Sequence, residues 1–138
     1  MYQKVIIVGN LGRPPEMRFT PSGQAVTNLN VATNNQYTNA QGERVKETTW
    51  WRVSVWGKQA ESCNQYLQKG SSVLIEGRMN PDENTGGPKL WKKQDDSMGA
   101  NYDMTAQTVR FLSPKSEDQG QDQQETNYAQ PPDDTFPF

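Results

Sequence analysis

The sequence predicts an all-β domain, a five-stranded Greek-key barrel with one helix, followed by an acidic tail outside the packed body. Three observations carry this. Long stretches alternate apolar and polar residues with the period of a strand. Only one stretch has helical spacing, and it falls between the third and fourth long strands. Periodicity stops after Leu112, where the composition turns to Gln, Asp, Glu, Ser and Pro.

Tyr2 to Val8 reads as the first strand, ended by Gly9-Asn10-Leu11-Gly12, whose glycines permit a bend or a change of sheet. Arg13-Pro14-Pro15 breaks the ladder. Glu16 to Thr20 is a short extended piece closed by the turn Pro21-Ser22-Gly23. Gln24 to Asn34 alternates again, with Thr27, Leu29, Val31 and Thr33 on one side. Asn35 to Arg44 is polar and predicts an exposed hairpin loop. Val45 to Trp56 is the next strand. Lys58 to Lys69 predicts the helix, since Ala60, Cys63 and Leu67 share a side and Gly70 is the expected stop. Ser71 to Met79 is a strand, Asn80 to Asn101 a long excursion, and Tyr102 to Leu112 the closing strand. A twisted, glycine-bent first strand with a single helix at that place in the order is the pattern of the oligonucleotide-binding (OB) fold. Two parts are therefore expected: an OB-fold domain over 1–112 and a disordered tail over 113–138, which cannot bury enough apolar area to offset its ordering entropy.

The charge divides along the same line. All 14 Lys and Arg lie at or before Lys115 with 10 of the 16 acids, so the body carries +4. The other 6 acids make the tail −6, and a pI of 5.1 hides a basic domain with an acidic appendage. Hydrophobic content of 32% and a mean hydropathy of −0.98 agree with a chain partly outside any core. No apolar run approaches the ~18 residues of a membrane span. Met1 to Gly9 reads as a strand, not a signal peptide.

Thr49 to Trp56 is the most telling stretch. Trp51, Val53 and Val55 point to one side, which reads as core; Trp50, Arg52, Ser54 and Trp56 point to the other. At a rise of roughly 3.3 Å per residue, Trp50 and Trp56 stand about 20 Å apart. Two indoles with a guanidinium between them suit an extended, unpaired nucleic acid strand. The alternative is a strand buried on both sides, its indoles packed under other elements. Similar pairings of ring and cation recur elsewhere: Tyr37 near Arg44 and Lys46, Lys58 just beyond Trp56, and Trp91 beside Lys89, Lys92 and Lys93.

Catalytic chemistry finds little here. The chain has no histidine, which removes the commonest general base and metal ligand. Cys63 is alone, so no internal disulfide or thiolate cluster forms, and a reducing compartment fits. Gly9-Asn10-Leu11-Gly12 lacks the Gly-Lys-Ser/Thr of a phosphate loop. Asp82, Glu83, Asp95 and Asp96 could in principle hold Mg²⁺ for phosphodiester cleavage, but all fall in one polar loop where charges ordinarily face water. No enzyme activity, cofactor or metal is expected, and a nuclease and an RNA-binding barrel stay as rival readings.

The chain closely resembles the bacterial-type single-stranded DNA-binding protein family. The residues that carry this are Lys4 to Gly12, Pro15-Glu16 and Arg18-Phe19, then Gly23, Val26, Asn28 and Ala32-Thr33. The strongest run is Trp50 to Lys58, followed by Ala60-Glu61, Tyr66-Leu67, Lys69-Gly70-Ser71 and Ile75 to Arg78. The resemblance covers about Gln3 to Leu112 and the last six residues. It implies stacking aromatics at Trp50, at Trp56 where the family usually has phenylalanine, at Tyr37, and at Trp91 in a loop longer than the common pattern. Arg52, Lys58, Lys92 and Lys93 complete the expected DNA-binding set. Trp51 stands where the common pattern has a histidine at a subunit contact. The resemblance further implies a homotetramer built from dimers paired through the first strand, roles in DNA replication, recombination and repair, and a cytoplasmic, nucleoid-associated setting. It also implies a tail tip, Asp133, Asp134, Phe136, Pro137 and Phe138, that docks on replication and repair proteins.

Overall fold

The computed structural model describes residues 1–113. Among them the element order is β1 (Val5–Leu11), β2 (Glu16–Phe19), β3 (Ala25–Thr38), β4 (Arg44–Trp56), α1 (Lys58–Tyr66), β5 (Ser72–Met79), β6 (Lys89–Lys92) and β7 (Met98–Phe111). Five of the strands close a ring, β1–β5–β7–β4–β3 and back to β1. The β4–β7 pair is parallel and the other pairs of the ring are antiparallel. β2 extends the sheet beyond β3, and β6 pairs with β7 alone. This is the expected five-stranded barrel with one helix.

The ring closes where β1 changes partner. Val5 to Asn10 pair with Gly77 to Ser72 of β5, whereas Asn10 and Leu11 pair with Ala32 and Val31 of β3. A side chain on Gly9 would overlap the Ala32 carbonyl, so the strands meet only because Gly9 has no Cβ. Gly77 plays the same part at a bulge between β5 and β7, where a Cβ would overlap the Thr105 carbonyl.

Strand alternation fills the barrel. Leu29 and Val31 from β3, Val53 and Val55 from β4, Val73 and Ile75 from β5, and Met104 from β7 are all buried. α1 closes one end with Ala60 and Cys63, and the buried Thr27 hydroxyl donates to the Ala60 carbonyl at 2.7 Å. Burial pushes the Cys63 thiol up to about 11, so it behaves as a small apolar side chain.

Three expectations change. The hairpin loop expected over Asn35 to Arg44 shrinks to the turn Asn39–Glu43, in which Asn39 Oδ1 accepts from the Gln41 and Glu43 backbone N–H. β3 and β4 stay paired in an unbroken register from Val26↔Trp56 to Thr38↔Arg44, so the polar residues lie on a two-stranded ribbon beyond the barrel. The helix stops at Tyr66 and not at Lys69, because Leu67 turns extended (φ −89°, ψ 147°) and enters the core. The excursion Asn80–Asn101 contains the β6–β7 hairpin, turning through Lys93 to Ser97.

Replacing Gly77 by Ala is expected to cost about 1–3 kcal/mol, the usual penalty for forcing a methyl into filled space. Urea unfolding measures it. An unchanged midpoint would mean that β5 and β7 part freely at the bulge.

Candidate nucleic-acid interface

The register of β4 decides what faces outward. Residues directly opposite across a ladder share a face, so the rows outside the barrel are Trp56 with Val26, Ser54 with Asn28, Arg52 with Asn30, and Trp50 with Ala32. β7 adds Asp103 beside Arg52 and Thr105 beside Ser54. Trp50 is 55% exposed and Trp56 41%, so neither is packed under another element. Arg52 stands between them in solvent, flanked by Asn30 and Asp103. Further out along the ribbon the same face continues with Lys46 and Arg44. Beside Trp50 opens a cleft of about 260 Å³ lined by Gly12, Arg13, Asn30, Arg52 and Asn101.

The other expected residues fall in different places. Tyr37 is 44% exposed but pairs with Val45, on the ribbon face opposite Trp50; Gln36 takes the place beside Lys46. Lys58 is exposed at the start of α1, one residue after Gly57 and hence close to Trp56. Trp91 is 46% exposed on β6, directly across from Gly99. Lys93 Nζ lies 5.7 Å from the centroid of its ring, a cation–π contact, and Lys89 shares its hairpin face. Lys92 alternates to the opposite face and pairs with Asp96 at 3.1 Å. Trp51 is half-buried, its indole N–H donating to the Thr33 hydroxyl at 3.1 Å and its ring 5.6 Å from Tyr102. The tip residues Asp133, Asp134, Phe136, Pro137 and Phe138 lie outside the described residues.

Sequence reasoning missed Gly12, Arg13, Asn30, Asn101 and Gly99. Arg13 and Asn101 lie outside the strand that carries the indoles, so only the closure of the ring brings them beside it. Asn30 was legible as a neighbour on the outward side of β3, but not as a cleft wall.

Two of the four acids considered for a metal are spent on turns, and a third, Asp96, pairs with Lys92. Asp82 Oδ1 accepts from the backbone N–H of Asn84 and of Thr85, and these bonds hold its carboxyl below the usual carboxylate range. The Ser97 hydroxyl and backbone N–H do the same to Asp95 in a separate turn.

A profile of the single-strand binding protein family matches residues 2–112, which is the barrel just described. The chain belongs to the single-strand binding protein family. It is 38% identical to a single-stranded DNA-binding protein of Wolinella succinogenes, over 87% of this chain and 70% of that one. A single-stranded DNA-binding protein of Neisseria meningitidis serogroup A is 36% identical over 92% of this chain and 69% of its own. Among solved structures, a deletion variant of the single-stranded DNA binding protein from Thermus aquaticus superposes with a TM-score of 0.62 at 27% identity. That match covers 81% of this chain and 51% of that one, so this chain spans about half the length of the Thermus protein. The Plasmodium falciparum family member in complex with single-stranded DNA has the same fold, with a TM-score of 0.65 at 20% identity over 82% of this chain and 96% of its own.

The lowered Asp82 and Asp95 values carry a sign. A carboxyl whose value falls on folding supports its turn above the ordinary value of about 3.9, and that support is lost as pH falls through the lowered folded value. Carboxyl ¹³C titration by NMR is expected to show both titrating below the ordinary aspartate value. Ordinary values for both would mean that the turn bonds do not persist in solution.

Proposed function

We propose that this protein binds single-stranded DNA without reading its sequence, covering unpaired strands during replication, recombination and repair. One observation carries the reading: two exposed indoles on the outward face of β4 with Arg52 between them. Bases stack on the rings, the cations take the places of counterions on the phosphates, and no base edge needs to be read. Duplex DNA hides its base faces, which accounts for selectivity toward unpaired strands. The relatives named single-stranded DNA-binding proteins support the same ligand. The work is binding and not catalysis, with no cofactor. Among the described residues no helix is long and apolar enough to cross a membrane, and we place the protein in the cytoplasm with the nucleoid.

The assembly we propose is a homotetramer built from two dimers. Ile6 and Val8 are exposed, and the edge of β1 over Val5–Gly9 opposite β5 has no ladder partner among the described residues. A second β1 supplies that partner. Replication and repair proteins dock on the tail tip, with apolar pockets for Phe136 and Phe138 and basic groups for Asp133 and Asp134.

Poly-dT is expected to quench tryptophan fluorescence, and Trp50→Ala and Trp56→Ala each to weaken binding by about 1–3 kcal/mol. The melting temperature should hold in the first and fall only slightly in the second, where Val26 is uncovered. Unchanged affinity with a lowered melting temperature would make these indoles part of the core. Competition between DNA and RNA strands of equal length separates the RNA-binding alternative, and an oligonucleotide left intact with Mg²⁺ removes the nuclease.

The tail adds a second expectation. Deleting 116–138 removes the −6 segment that competes with phosphate, so DNA binding should tighten, most at low salt where screening is weakest. Deleting Phe138 alone should abolish capture of repair proteins and leave DNA affinity as it was. Weaker binding by the truncated chain at low salt would rule out competition by the tail.

A further inference from the structure

Nine of the glycines among the described residues fall into three physical kinds; Gly87, whose φ is not positive and whose Cβ would meet only the Thr85 hydroxyl at 3.6 Å, belongs to none of them. Gly23, Gly42, Gly57, Gly70 and Gly86 have φ between 70° and 90°, where other residues are strained. Gly9 and Gly77 lie where a Cβ would overlap a neighbouring carbonyl. Gly12 and Gly99 have neither property. Their φ is not positive, and the nearest atoms a Cβ would meet all belong to one tryptophan each. At Gly12 these are Cζ3, Cη2 and Cε3 of Trp50, with Cη2 at 2.6 Å; at Gly99 they are Cε2, Cζ2 and Nε1 of Trp91, at 2.6, 2.7 and 3.0 Å. Each indole occupies the space where a side chain would stand.

We infer that Gly12 and Gly99 are positioning residues for the two platforms, seats that hold the Trp50 and Trp91 rings in place before a base arrives. The inference rests on the stacking role proposed above and adds what fixes the rings. The two seats are built differently, which makes them independent observations. Gly12 follows β1 and reaches Trp50 because the barrel closes β1 onto β3; its N–H donates to the Asn30 carbonyl at 2.9 Å. Gly99 is the direct cross-strand partner of Trp91 in the β6–β7 hairpin and is buried beneath it. Neither tryptophan is held by burial, since about half of each ring is exposed. An unseated exposed indole samples several rotamers and loses that freedom when a base stacks on it. A seated one has lost it already, so affinity rises through preorganisation and not through any new contact with DNA. A methyl at either position would push the ring off its seat while the backbone, being in an ordinary conformation, accepts alanine without strain.

The test uses Gly12→Ala and Gly99→Ala, each alone and with the matching Trp→Ala change, with oligo-dT as the probe. Each glycine variant is expected to keep its melting temperature and to bind about two- to tenfold more weakly. In the Trp50→Ala background Gly12→Ala should have no further effect, and likewise Gly99→Ala in Trp91→Ala. A loss of the same size with and without the indole overturns the inference, because the glycine would then act on something else. In the free protein the indole N–H resonance of Trp50 should move in Gly12→Ala and that of Trp91 in Gly99→Ala, each alone; resonances that stay put also overturn it. This last measurement needs no DNA. If Trp50→Ala and Trp91→Ala themselves leave affinity untouched while the resonances move, the stacking role fails and the seats remain.

Discussion

Register along β4 binds the core to the interface. Val53 and Val55 are buried to 1% exposure or less, while their neighbours Trp50, Arg52, Ser54 and Trp56 alternate outward. A slip of one residue against β3 would carry both indoles inward and both valines into water. Val53 lies directly across from Leu29 and both are fully buried, so packing inside enforces the arrangement outside. The long β3–β4 ladder spreads that constraint over the whole strand. The interface therefore needs no ordering of its own. It inherits its geometry from the core.

Closure of the ring adds what one strand cannot. Through Gly9 the end of β1 is brought onto β3, and Gly12 and Arg13 arrive beside Trp50 from a part of the chain about forty residues away. Val26 shows the other use of an exposed indole. It lies on the outward side of β3 opposite Trp56, yet is almost fully buried. Trp56 thus covers an apolar residue with part of its surface and offers the rest to solvent. A ring in that position can contribute to the fold and to a ligand at once, whereas Trp50, seated on a glycine, is freer of fold duty.

What could be read in advance tracks burial. Alternation reports which side of a strand is apolar, so the inward Thr27, Leu29 and Val31 and the outward Trp50 and Trp56 were legible. Where a strand has no buried side the signal vanishes. Asn35 to Thr38 are held by ladder hydrogen bonds, are exposed on both faces, and read as loop. β6 escaped for the same reason, since Lys89 to Lys92 are all exposed. The helix end was misplaced because Leu67 is apolar at helical spacing but reaches the core from extended backbone. Tyr37 and Lys92 were legible as residue types and not as directions, because direction depends on a register that a polar ribbon does not reveal. Composition can nominate a cation, but only geometry shows that Lys92 already has Asp96 for a partner.

The pattern of pairing among the cations bears on how the domain and its ligand support each other. Among the described residues the ion pairs within 4.0 Å are Lys4 with Glu76 and Lys92 with Asp96. Both lie away from the outward face of β4. Among the described residues Arg13, Arg52, Lys46 and Lys93, which border the indoles, have no carboxylate within that distance. Unpaired like charges repel, and a surface that gathers them carries a cost in the free protein that a polyanion removes. Mass action then makes any ligand bound only by the folded state a stabiliser, and here the charge-borne part of the effect weakens as salt screens the phosphates. The stacking part does not depend on charge and persists. On the stacking role proposed above, high salt would leave the indoles as the principal hold on the strand, and low salt would add the cations to it.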